Sequence, residues 1–386
     1  MTASAPHSIL PSLSPDEERH SAAATTLIRE RLASAGGWLS FADFMELALY
    51  APGIGYYSAG AVKIGASGDF VTAPEVSDLF SRCVARQCAD VLGETGGEIL
   101  ELGAGTGRMA ATIMKTLAEI GVLPDRYAIL EVSADLSDRQ RTRLMQLPSK
   151  LFERVVWLDK LPEKPIRGVM LANEVLDALP VQRFVVRNGV AHELGVGLEG
   201  TDIGWQETTA DFAAATALVG GLPDGYTSEV CFRVEPWIAG VGQCLGQGAL
   251  LLFDYGLPRA HYYHAQRTGG TLRCYFKQRA HDNPFINIGV QDITAWVDFT
   301  RVGEAALAAG LEVTGFNTQA AFLLGNGIEP MLSEPPDVAG RAKLAGEARR
   351  LMLPGEMGES FKVMAACRKL RKPLRGFAFQ DLRKSL

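Results

Sequence analysis

Short apolar runs recur through the central part of the chain, and helical patterns separate several of them. Residues 99–102, 127–132 and 155–158 are mostly apolar, and the first two runs each precede a segment with the spacing of an amphipathic helix. Continuous apolar strands that alternate with helices predict a parallel sheet covered on both faces. Two further apolar runs, at 168–172 and 249–253, are expected to extend this sheet.

The end of the chain predicts a different strand arrangement. Residues 311–316 and 361–367 have the pattern of β-strands, and the first of them follows a predicted helix at 300–309. We interpret the two strands as an antiparallel hairpin that completes the sheet. The predicted fold class is therefore α/β, with a mostly parallel sheet and an antiparallel C-terminal hairpin.

Changes in composition indicate how the chain is divided. The N-terminal residues are rich in Ser, Pro and Ala, and Ser14 followed by Pro15 has the pattern of a helix start. Two stretches rich in Thr, Gly or aromatic residues interrupt the alternation and are interpreted as insertions on the substrate side. We predict a disordered tail at 1–14, an N-terminal helical and lid segment at 15–97, a main domain at 98–370 with insertions at about 184–235 and 257–298, and a basic, solvated tail at 371–386.

Charge and composition exclude several classes of function. The net charge is -6 and the pI is about 5.6, so we expect no binding to nucleic acid, which basic surfaces mediate. The 6 cysteines are scattered without a CxxC pair, so neither a disulfide framework nor a metal site is expected. No apolar run approaches the roughly 20 residues that span a bilayer, and the N-terminal segment lacks the apolar centre of a signal peptide. We therefore expect no membrane insertion and a cytoplasmic location.

A glycine-rich turn directly follows the first apolar run. It contains Gly103, Ala104, Gly105 and Gly107, and glycines let the backbone fold sharply and approach a ligand. Glu101 precedes the turn, where its carboxylate would repel the pyrophosphate of a dinucleotide. The same carboxylate favours the sulfonium cation of S-adenosylmethionine. The turn therefore predicts S-adenosylmethionine as the cofactor.

Two more acids stand at the ends of the next predicted strands. Glu131 ends the second run, and Asp159 follows the third. Ligands of parallel sheets bind at the carboxyl ends of the strands. We therefore expect Glu131 to bind the ribose hydroxyls and Asp159 to reach the adenine side.

Polar residues after the fourth run are the candidate catalytic residues. Asn173, Glu174 and Asp177 follow a buried strand, so they are expected in the crevice at the sheet's carboxyl edge. They offer an amide and two carboxylates to a substrate. Asp292 and Asp298, in contrast, have the pattern of acids at helix starts.

A series of ordered motifs resembles those of the MidA-like methyltransferases. The resemblance extends from about Leu39 to Arg368. It implies a class I methyltransferase fold with a Rossmann-like sheet. The family includes the mitochondrial complex I assembly factor that methylates an arginine of a core subunit. The motifs are Gly55-Tyr56-Tyr57-Ser58, Gly68-Asp69-Phe70-Val71-Thr72-Ala73-Pro74-Glu75, Glu101-Leu102-Gly103-Ala104-Gly105-Thr106-Gly107, Asn173-Glu174-Val175-Leu176-Asp177-Ala178-Leu179-Pro180, Asp254-Tyr255-Gly256, Asp292-Ile293-Thr294 and Met357-Gly358-Glu359-Ser360-Phe361-Lys362-Val363.

The resemblance implies an S-adenosyl-L-methionine-dependent protein arginine methyltransferase that acts on a respiratory complex I subunit or its assembly. It also implies a mitochondrial matrix location if the source is eukaryotic. We expect residues 65–75 to cover the donor, with Asp69, Thr72 and Pro74 among the cofactor contacts. The family's glycine turn usually reads Gly-Pro-Gly-Arg-Gly, and this chain has Thr106 in place of the arginine.

Three alternatives remain at the level of sequence. A nicotinamide-dependent oxidoreductase could use a similar sheet, although Glu101 argues against a pyrophosphate at the turn. A non-catalytic assembly factor that binds S-adenosylmethionine and a small-molecule methyltransferase would both share the cofactor site. The sequence leaves the oligomeric state open.

Overall fold

The computed structural model describes residues 10–58, 69, 71–218, 220–335 and 337–386. Most of the tail predicted at 1–14 lies outside the described residues, as do positions 65–68 and 70 of the segment expected to cover the donor. Within the described ranges, no helix has the length and apolar character that crossing a membrane requires.

Helices and strands alternate in the centre of the chain as expected, and additional strands fill the two predicted insertions. The helices are α1 Pro15–Ser34, α2 Phe41–Tyr50, α3 Ala73–Val76, α4 Asp78–Thr95, α5 Arg108–Ile120, α6 Ala134–Leu144, α7 Ser149–Phe152, α8 Ala213–Thr216, α9 Val234–Gln243, α10 Arg259–Tyr262, α11 Phe299–Ala308, α12 Gln319–Gly325, α13 Ile328–Met331, α14 Val338–Met352 and α15 Met357–Ser360. The strands are β1 Glu98–Leu102, β2 Tyr127–Leu130, β3 Val155–Leu158, β4 Ile166–Asn173, β5 Gln182–Arg187, β6 Val190–Glu199, β7 Asp202–Asp211, β8 Thr227–Val230, β9 Leu245–Leu257, β10 Arg273–Phe276, β11 Arg279–His281, β12 Asp292–Thr294, β13 Val297–Asp298, β14 Glu312–Thr318 and β15 Phe361–Arg368.

The chain forms two compact units. The later segments of unit 1 correspond closely to the two predicted insertions. The structure differs from the predicted boundary at 97/98, because the buried side chains of α4 belong to the core of unit 2. Unit 1 comprises Met1–Phe70, Asp177–Arg233 and Ala260–Trp296, and unit 2 comprises Val71–Leu176, Val234–Arg259 and Val297–Leu386.

Unit 2 is built on a sheet with the strand order β14-β15-β9-β4-β1-β2-β3. The strands from β9 to β3 are parallel neighbours, and Leu102 of β1 pairs with Leu130 of β2 and Ala172 of β4. β15 pairs antiparallel with both β9 and β14. The predicted mostly parallel sheet with an antiparallel C-terminal pair is confirmed, and α12 to α15 connect the two strands of that pair.

The core of unit 2 contains side chains from α4, α5 and the sheet. Val84, Ile113 and Leu171 belong to one buried apolar cluster. α5 ends where predicted, because Gly121 has a left-handed φ of 80° and its N–H donates to the Ala118 carbonyl.

The described residues of unit 1 form two antiparallel sheets that the sequence pattern did not predict. Their strand orders are β7-β6-β5-β8 and β11-β10-β12. Ile28 of α1, Phe44 of α2 and Ile293 of β12 belong to one buried apolar cluster. The predicted start of α1 is confirmed: Ser14 and Glu17 form a capping box.

The basic C-terminal tail is not the solvated segment that we expected. Leu374 and Phe377 are buried with the core of unit 2. The Gly376 N–H donates to Gln87 Oε1 at 2.9 Å, and Arg375 forms an ion pair with Asp90. The tail therefore packs on unit 2. Its apolar side chains are buried there, and its Arg375 pairs with an acid of α4.

Candidate active site

The glycine turn leaves β1 at the carboxyl edge of the sheet and leads into α5. Gly103, Gly105 and Gly107 have φ values of 69°, 53° and 76°, in the left-handed region that favours glycine. A Cβ at Gly103 would lie 3.3 Å from Val175 Cγ2, and one at Gly107 would lie 3.2 Å from Gln140 Cα. The backbone conformation therefore favours glycine at all three positions, and space for a side chain is tight at Gly103 and Gly107.

Glu101 is a buried carboxylate beside the turn. It is 1% exposed, and its Oε2 accepts a hydrogen bond from the Tyr127 hydroxyl at 2.7 Å. The pKa of Glu101 is raised to about 7, chiefly by burial; the Tyr127 bond opposes this shift, and the charge of the nearby Glu131 adds to it. A cationic ligand would stabilise the ionised form of this carboxylate.

Gln140 of α6 connects the turn to the ends of β2 and β3. Its Nε2 donates to the Gly105 carbonyl at 3.0 Å and to Glu131 Oε2 at 2.9 Å. Its Oε1 accepts a hydrogen bond from Trp157 Nε1 at 3.0 Å. Glu131 Oε1 also accepts a bond from the Ser133 N–H at 2.9 Å. Sequence reasoning missed Gln140, which is completely buried although α6 is a polar helix.

Asp159 and Val132 lie next to this network. Leu130 pairs with Leu158, so the following residues, Glu131 and Asp159, leave the same edge of the sheet. Asp159 is exposed, and Val132 is 83% exposed despite its apolar side chain. Val132 directly follows Glu131, and an exposed apolar group beside an acid suits a ligand with an apolar ring and polar edges, such as a nucleoside.

Asn173 and Glu174 follow β4 at the same edge. Asn173 is one position beyond the pair that Ala172 forms with Leu102, so it lies beside the start of the glycine turn. The Asn173 Nδ2 donates to Glu174 Oε1 at 3.2 Å, and its buried Oδ1 has no hydrogen-bond partner within the described residues. Glu174 has a φ of 52°, which is unusual for a residue with a side chain and is frequent at functional sites.

Asp254 at the end of β9 holds the loop that carries Asn173 and Glu174. Its Oδ2 accepts a bond from the Leu176 N–H at 2.9 Å, and its Oδ1 accepts one from the Tyr255 N–H at 2.9 Å. The Glu174 N–H donates to the Phe253 carbonyl at 2.8 Å. β9 therefore fixes the loop at both of its ends.

Asp254→Ala should lower the free energy of unfolding by about 1–3 kcal/mol, because it leaves a buried N–H without an acceptor. Leu176 is 4% exposed, so water cannot readily replace the carboxylate. Urea denaturation should measure the difference, with the exposed Asp138 of α6 as the control for Asp→Ala. Equal stability of Asp254→Ala and Asp138→Ala would contradict this assignment.

The residues predicted around Thr72 lie at the start of α3, close to the glycine turn. The Thr106 hydroxyl donates to Glu75 Oε1, and the Arg108 Nη1 donates to the Glu75 carbonyl at 2.7 Å. Thr72 and Pro74 are buried at the beginning of the same helix. Thr106, which replaces the family's arginine, thus connects the turn to α3.

Ala104, the remaining member of the predicted turn, helps to close it. It is 7% exposed, and its carbonyl accepts a bond from the Gly107 N–H at 2.8 Å. The backbone therefore folds back within the turn, as its glycines allow.

Two predicted site residues belong to unit 1. Asp69 accepts bonds from the Tyr56 hydroxyl at 2.8 Å and the Lys277 N–H at 2.6 Å, and its carbonyl accepts one from the Gln278 N–H at 3.0 Å. Lys277 and Gln278 both have positive φ, so Asp69 stabilises the tight turn between β10 and β11. The cofactor contact of Asp69 stays a prediction. Asp177, a predicted catalytic residue, is buried in unit 1.

The arrangement in unit 2 fits a cationic nucleoside. It combines a glycine turn that a Cβ would fill, a buried carboxylate and further acids at the ends of neighbouring strands. A dinucleotide's pyrophosphate would meet these acids instead of cations. The fold and this site define the class I type of S-adenosylmethionine-binding protein, with a parallel sheet and an antiparallel strand pair at one end.

Comparison with known proteins agrees with this class. Residues 83–317 match a family model described as "Putative S-adenosyl-L-methionine-dependent methyltransferase". The chain belongs to this family, and it is an S-adenosylmethionine-dependent methyltransferase. The resemblance to MidA-like methyltransferases is therefore confirmed.

Solved structures and curated proteins support the assignment over nearly the whole chain. A structure of a Burkholderia thailandensis protein bound to S-adenosyl-homocysteine has a TM-score of 0.94 and 40% identity, and it covers 98% of this chain and 100% of that chain. A Danio rerio protein named protein arginine methyltransferase NDUFAF7, mitochondrial, is 26% identical and covers 85% of this chain and 83% of its own length. The Mus musculus protein of the same name is 27% identical, with 85% and 81% coverage.

Proposed function

We propose that this methyltransferase transfers the methyl group to an arginine side chain of a protein. The observation that carries the proposal is the name of the curated relatives, protein arginine methyltransferase, together with their coverage of 85% of the chain. The carboxylate of Glu174 beside the glycine turn is consistent with a guanidinium acceptor, because carboxylates bind that group with paired hydrogen bonds.

In this proposal the donor lies along the glycine turn of unit 2. Glu101 faces a cationic group of the donor, Glu131 binds the ribose hydroxyls and Asp159 lies on the adenine side. Gln140 keeps the turn and Glu131 in register through its bonds to both. The remaining proposed contacts are Gly103, Ala104, Gly105, Gly107, Asp69, Thr72 and Pro74.

The cofactor supplies a methyl group activated by its bond to a sulfonium. Transfer forms a bond between the guanidinium nitrogen and the methyl carbon, breaks the carbon–sulfur bond with its electrons passing to sulfur, and releases one proton from the nitrogen. Two positive charges about 4 Å apart repel each other by about 4 kcal/mol at an effective dielectric of 20. Glu174 offsets this repulsion, and Asn173 Oδ1 accepts an N–H of the guanidinium. Asp177 is the third proposed catalytic residue.

The resemblance to the MidA-like family extends the proposal to the acceptor protein. We propose a subunit of respiratory complex I, or an intermediate of its assembly, as the substrate. The relatives are named as mitochondrial proteins. This chain would act in the mitochondrial matrix of a eukaryote or in the cytoplasm of a bacterium.

Labelled transfer should test the proposed acceptor. The purified protein, incubated with methyl-labelled S-adenosylmethionine and lysate of a strain that lacks it, is expected to label one protein band. Acid hydrolysis of that band should release methylarginine. Methyl-lysine or a labelled small molecule would refute the arginine proposal, and donor binding without any labelled product would favour a non-catalytic factor.

Glu174→Gln is expected to reduce the rate of this transfer by about 100-fold, since a positioned charge at a reacting centre contributes about 3 kcal/mol. The affinity for S-adenosylhomocysteine, measured by calorimetry, should change less than about threefold, because the proposed contact is to the acceptor. Glu119→Gln, at an exposed position of α5, is the matched control. Unchanged transfer would remove Glu174 from the mechanism.

A further inference from the structure

Tyr127, the first residue of β2, connects the core of unit 2 to the buried carboxylate before the glycine turn. Its side chain is completely buried and belongs to the apolar cluster that also contains Ile113 of α5. Its hydroxyl donates to Glu101 Oε2 at 2.7 Å. A buried tyrosine needs a partner for its hydroxyl, and here the partner is a carboxylate that is 1% exposed. Tyr127 therefore places a hydrogen-bond donor on Glu101 from inside the core.

The strand register fixes this contact. In the parallel pair of β1 and β2, Ile99 pairs with Tyr127 and Glu101 pairs with Ile129. Ile99 and Glu101 are alternate residues of one strand, so the side chains of Glu101 and Tyr127 leave the same face of the sheet. On the other side of β2, the Tyr127 N–H donates to the Arg154 carbonyl at 2.8 Å. The backbone of Tyr127 is thus held from both sides, and its hydroxyl has a defined position next to β1.

Burial and a neighbouring charge oppose the ionisation of Glu101. The pKa of this carboxyl is raised to about 7, chiefly by burial; the Tyr127 bond lowers it, and the charge of Glu131 raises it. On the α4 side, burial and then the charge of Glu101 raise the pKa of the Cys88 thiol. Burial and the same charge raise the pKa of Tyr127 well above its ordinary range, so the phenol keeps its proton. Of these three groups, Tyr127 is the one that favours the carboxylate.

The bond between Tyr127 and Glu101 selects the ionised form of the carboxyl. A hydrogen bond to an ionised group is roughly twice as strong as one between neutral groups. We propose that Tyr127 is a positioning residue of the donor site, whose hydroxyl keeps the Glu101 carboxylate ionised and in place for a cationic group of S-adenosylmethionine. This inference rests on the proposed function, in which Glu101 faces such a group of the donor.

Titration of Glu101 in the ligand-free protein should test the action of Tyr127 directly. Tyr127→Phe removes the hydroxyl and keeps the ring in the core. The carboxyl carbon resonance of Glu101, identified by its absence in Glu101→Gln, is expected to titrate with a midpoint near pH 7 in the wild type. In Tyr127→Phe the midpoint should be about pH 8, because one hydrogen bond to a charged group changes an ionisation equilibrium about tenfold.

The affinity for S-adenosylmethionine should change with pH in a way that a structural role would not produce. At pH 7 about half of Glu101 is ionised in the wild type and about one-tenth in Tyr127→Phe, so the variant should bind about fivefold more weakly. At pH 9 both are largely ionised, and their affinities should agree within about twofold. Calorimetry at the two pH values measures both differences. The same loss at pH 7 and pH 9, or no loss at either, would overturn the inference.

Tyr262→Phe is the matched control. Tyr262 is 2% exposed, and its hydroxyl is hydrogen-bonded to the Thr271 hydroxyl at 3.0 Å, in unit 1. This variant loses a buried tyrosine hydroxyl with a neutral partner, and it should bind S-adenosylmethionine like the wild type at both pH values. Tyr127→Met removes the Tyr127 hydroxyl with a flexible side chain that also fills core space, and it should repeat the loss at pH 7 alone. A loss at both pH values in Tyr127→Met would mean that the ring and not the hydroxyl matters, against the inference.

The outcomes separate this inference from the proposed function. An unchanged midpoint of Glu101 in Tyr127→Phe refutes the role of Tyr127 and leaves the proposed function intact. A changed midpoint with the same donor affinity at pH 7 refutes both the inference and the proposed contact between Glu101 and the donor. A labelled product other than methylarginine, in contrast, refutes the proposed acceptor and leaves the role of Tyr127 intact.

Discussion

Glu101→Gln is expected to weaken the binding of S-adenosylmethionine by about 10- to 100-fold, because a hydrogen-bonded charge contributes about 1.5–3 kcal/mol. Glu101 is 1% exposed and its carboxylate is bonded to the Tyr127 hydroxyl at 2.7 Å. A glutamine keeps an oxygen that can accept the same bond, so the variant should fold. It loses the negative charge that a donor cation would meet, and calorimetry should measure the loss.

In the wild-type protein, the affinity for S-adenosylmethionine should depend on pH, because protonation of Glu101 removes the same charge. The pKa of Glu101 is raised to about 7, so about nine-tenths of it is ionised at pH 8 and about one-tenth at pH 6. A cationic ligand selects the ionised form, and the affinity should therefore fall about tenfold as the pH decreases from 8 to 6. Glu101→Gln should lose this dependence, whereas the exposed Glu119→Gln should keep it.

Comparison with S-adenosylhomocysteine tests which cation of the donor the proposed Glu101 contact involves. This ligand lacks the sulfonium charge but keeps the amino group. If Glu101 faces the sulfonium, the substitution should affect S-adenosylmethionine much more than S-adenosylhomocysteine. Equal affinity of Glu101→Gln and the wild type for both ligands at pH 8 would remove Glu101 from the donor site.

The central sheet could be predicted because its sequence signal is local. Buried parallel strands are mostly apolar runs. Residues 99–102 and 249–253 are such runs, and the glycines and predicted helices around them favour strands over other structures. The sheets of unit 1 gave no such signal. β6 and β7 carry glycine and polar residues on half-exposed faces, so their pattern does not differ from that of a loop.

The candidate site was only partly predictable, because a local sequence pattern does not show which distant side chains contact each other. The sequence showed which acids follow predicted strands. These acids were expected to lie together, because the carboxyl ends of parallel strands meet at one edge of the sheet. The sequence did not show which distant side chains meet them. Tyr127 reaches Glu101 because β1 and β2 are adjacent, and Gln140 reaches three partners from a helix whose other residues are mostly polar. The sequence predicted Asp292 at a helix start, because an acid before Ile and Thr suits one; this prediction is wrong, since pairing with β10 places Asp292 in a strand.

Gly107→Ala is expected to lower the affinity for S-adenosylhomocysteine at least tenfold, because it disturbs the turn and Gln140 together. Gly107 has a φ of 76°, and its added Cβ would lie 3.2 Å from the Gln140 Cα, which is backbone that cannot rotate away. Moving Gln140 by a few tenths of an ångström would strain its bonds to the Gly105 carbonyl and to Glu131. The left-handed backbone adds about 1–2 kcal/mol of destabilisation.

Gly121→Ala separates these two effects. Gly121 caps the other end of α5 with a φ of 80°, and an added Cβ there would meet nothing within 4 Å. Both variants should therefore lose similar unfolding free energy from the backbone, as urea denaturation would measure, but only Gly107→Ala should lose ligand affinity by calorimetry. If the two variants bind S-adenosylhomocysteine equally well, the turn does not hold the ligand through the contact between Gly107 and Gln140. A loss in Gly107→Ala alone would mean that the close approach of α6 to the turn, and not the stability of α5, sets the geometry of the donor site.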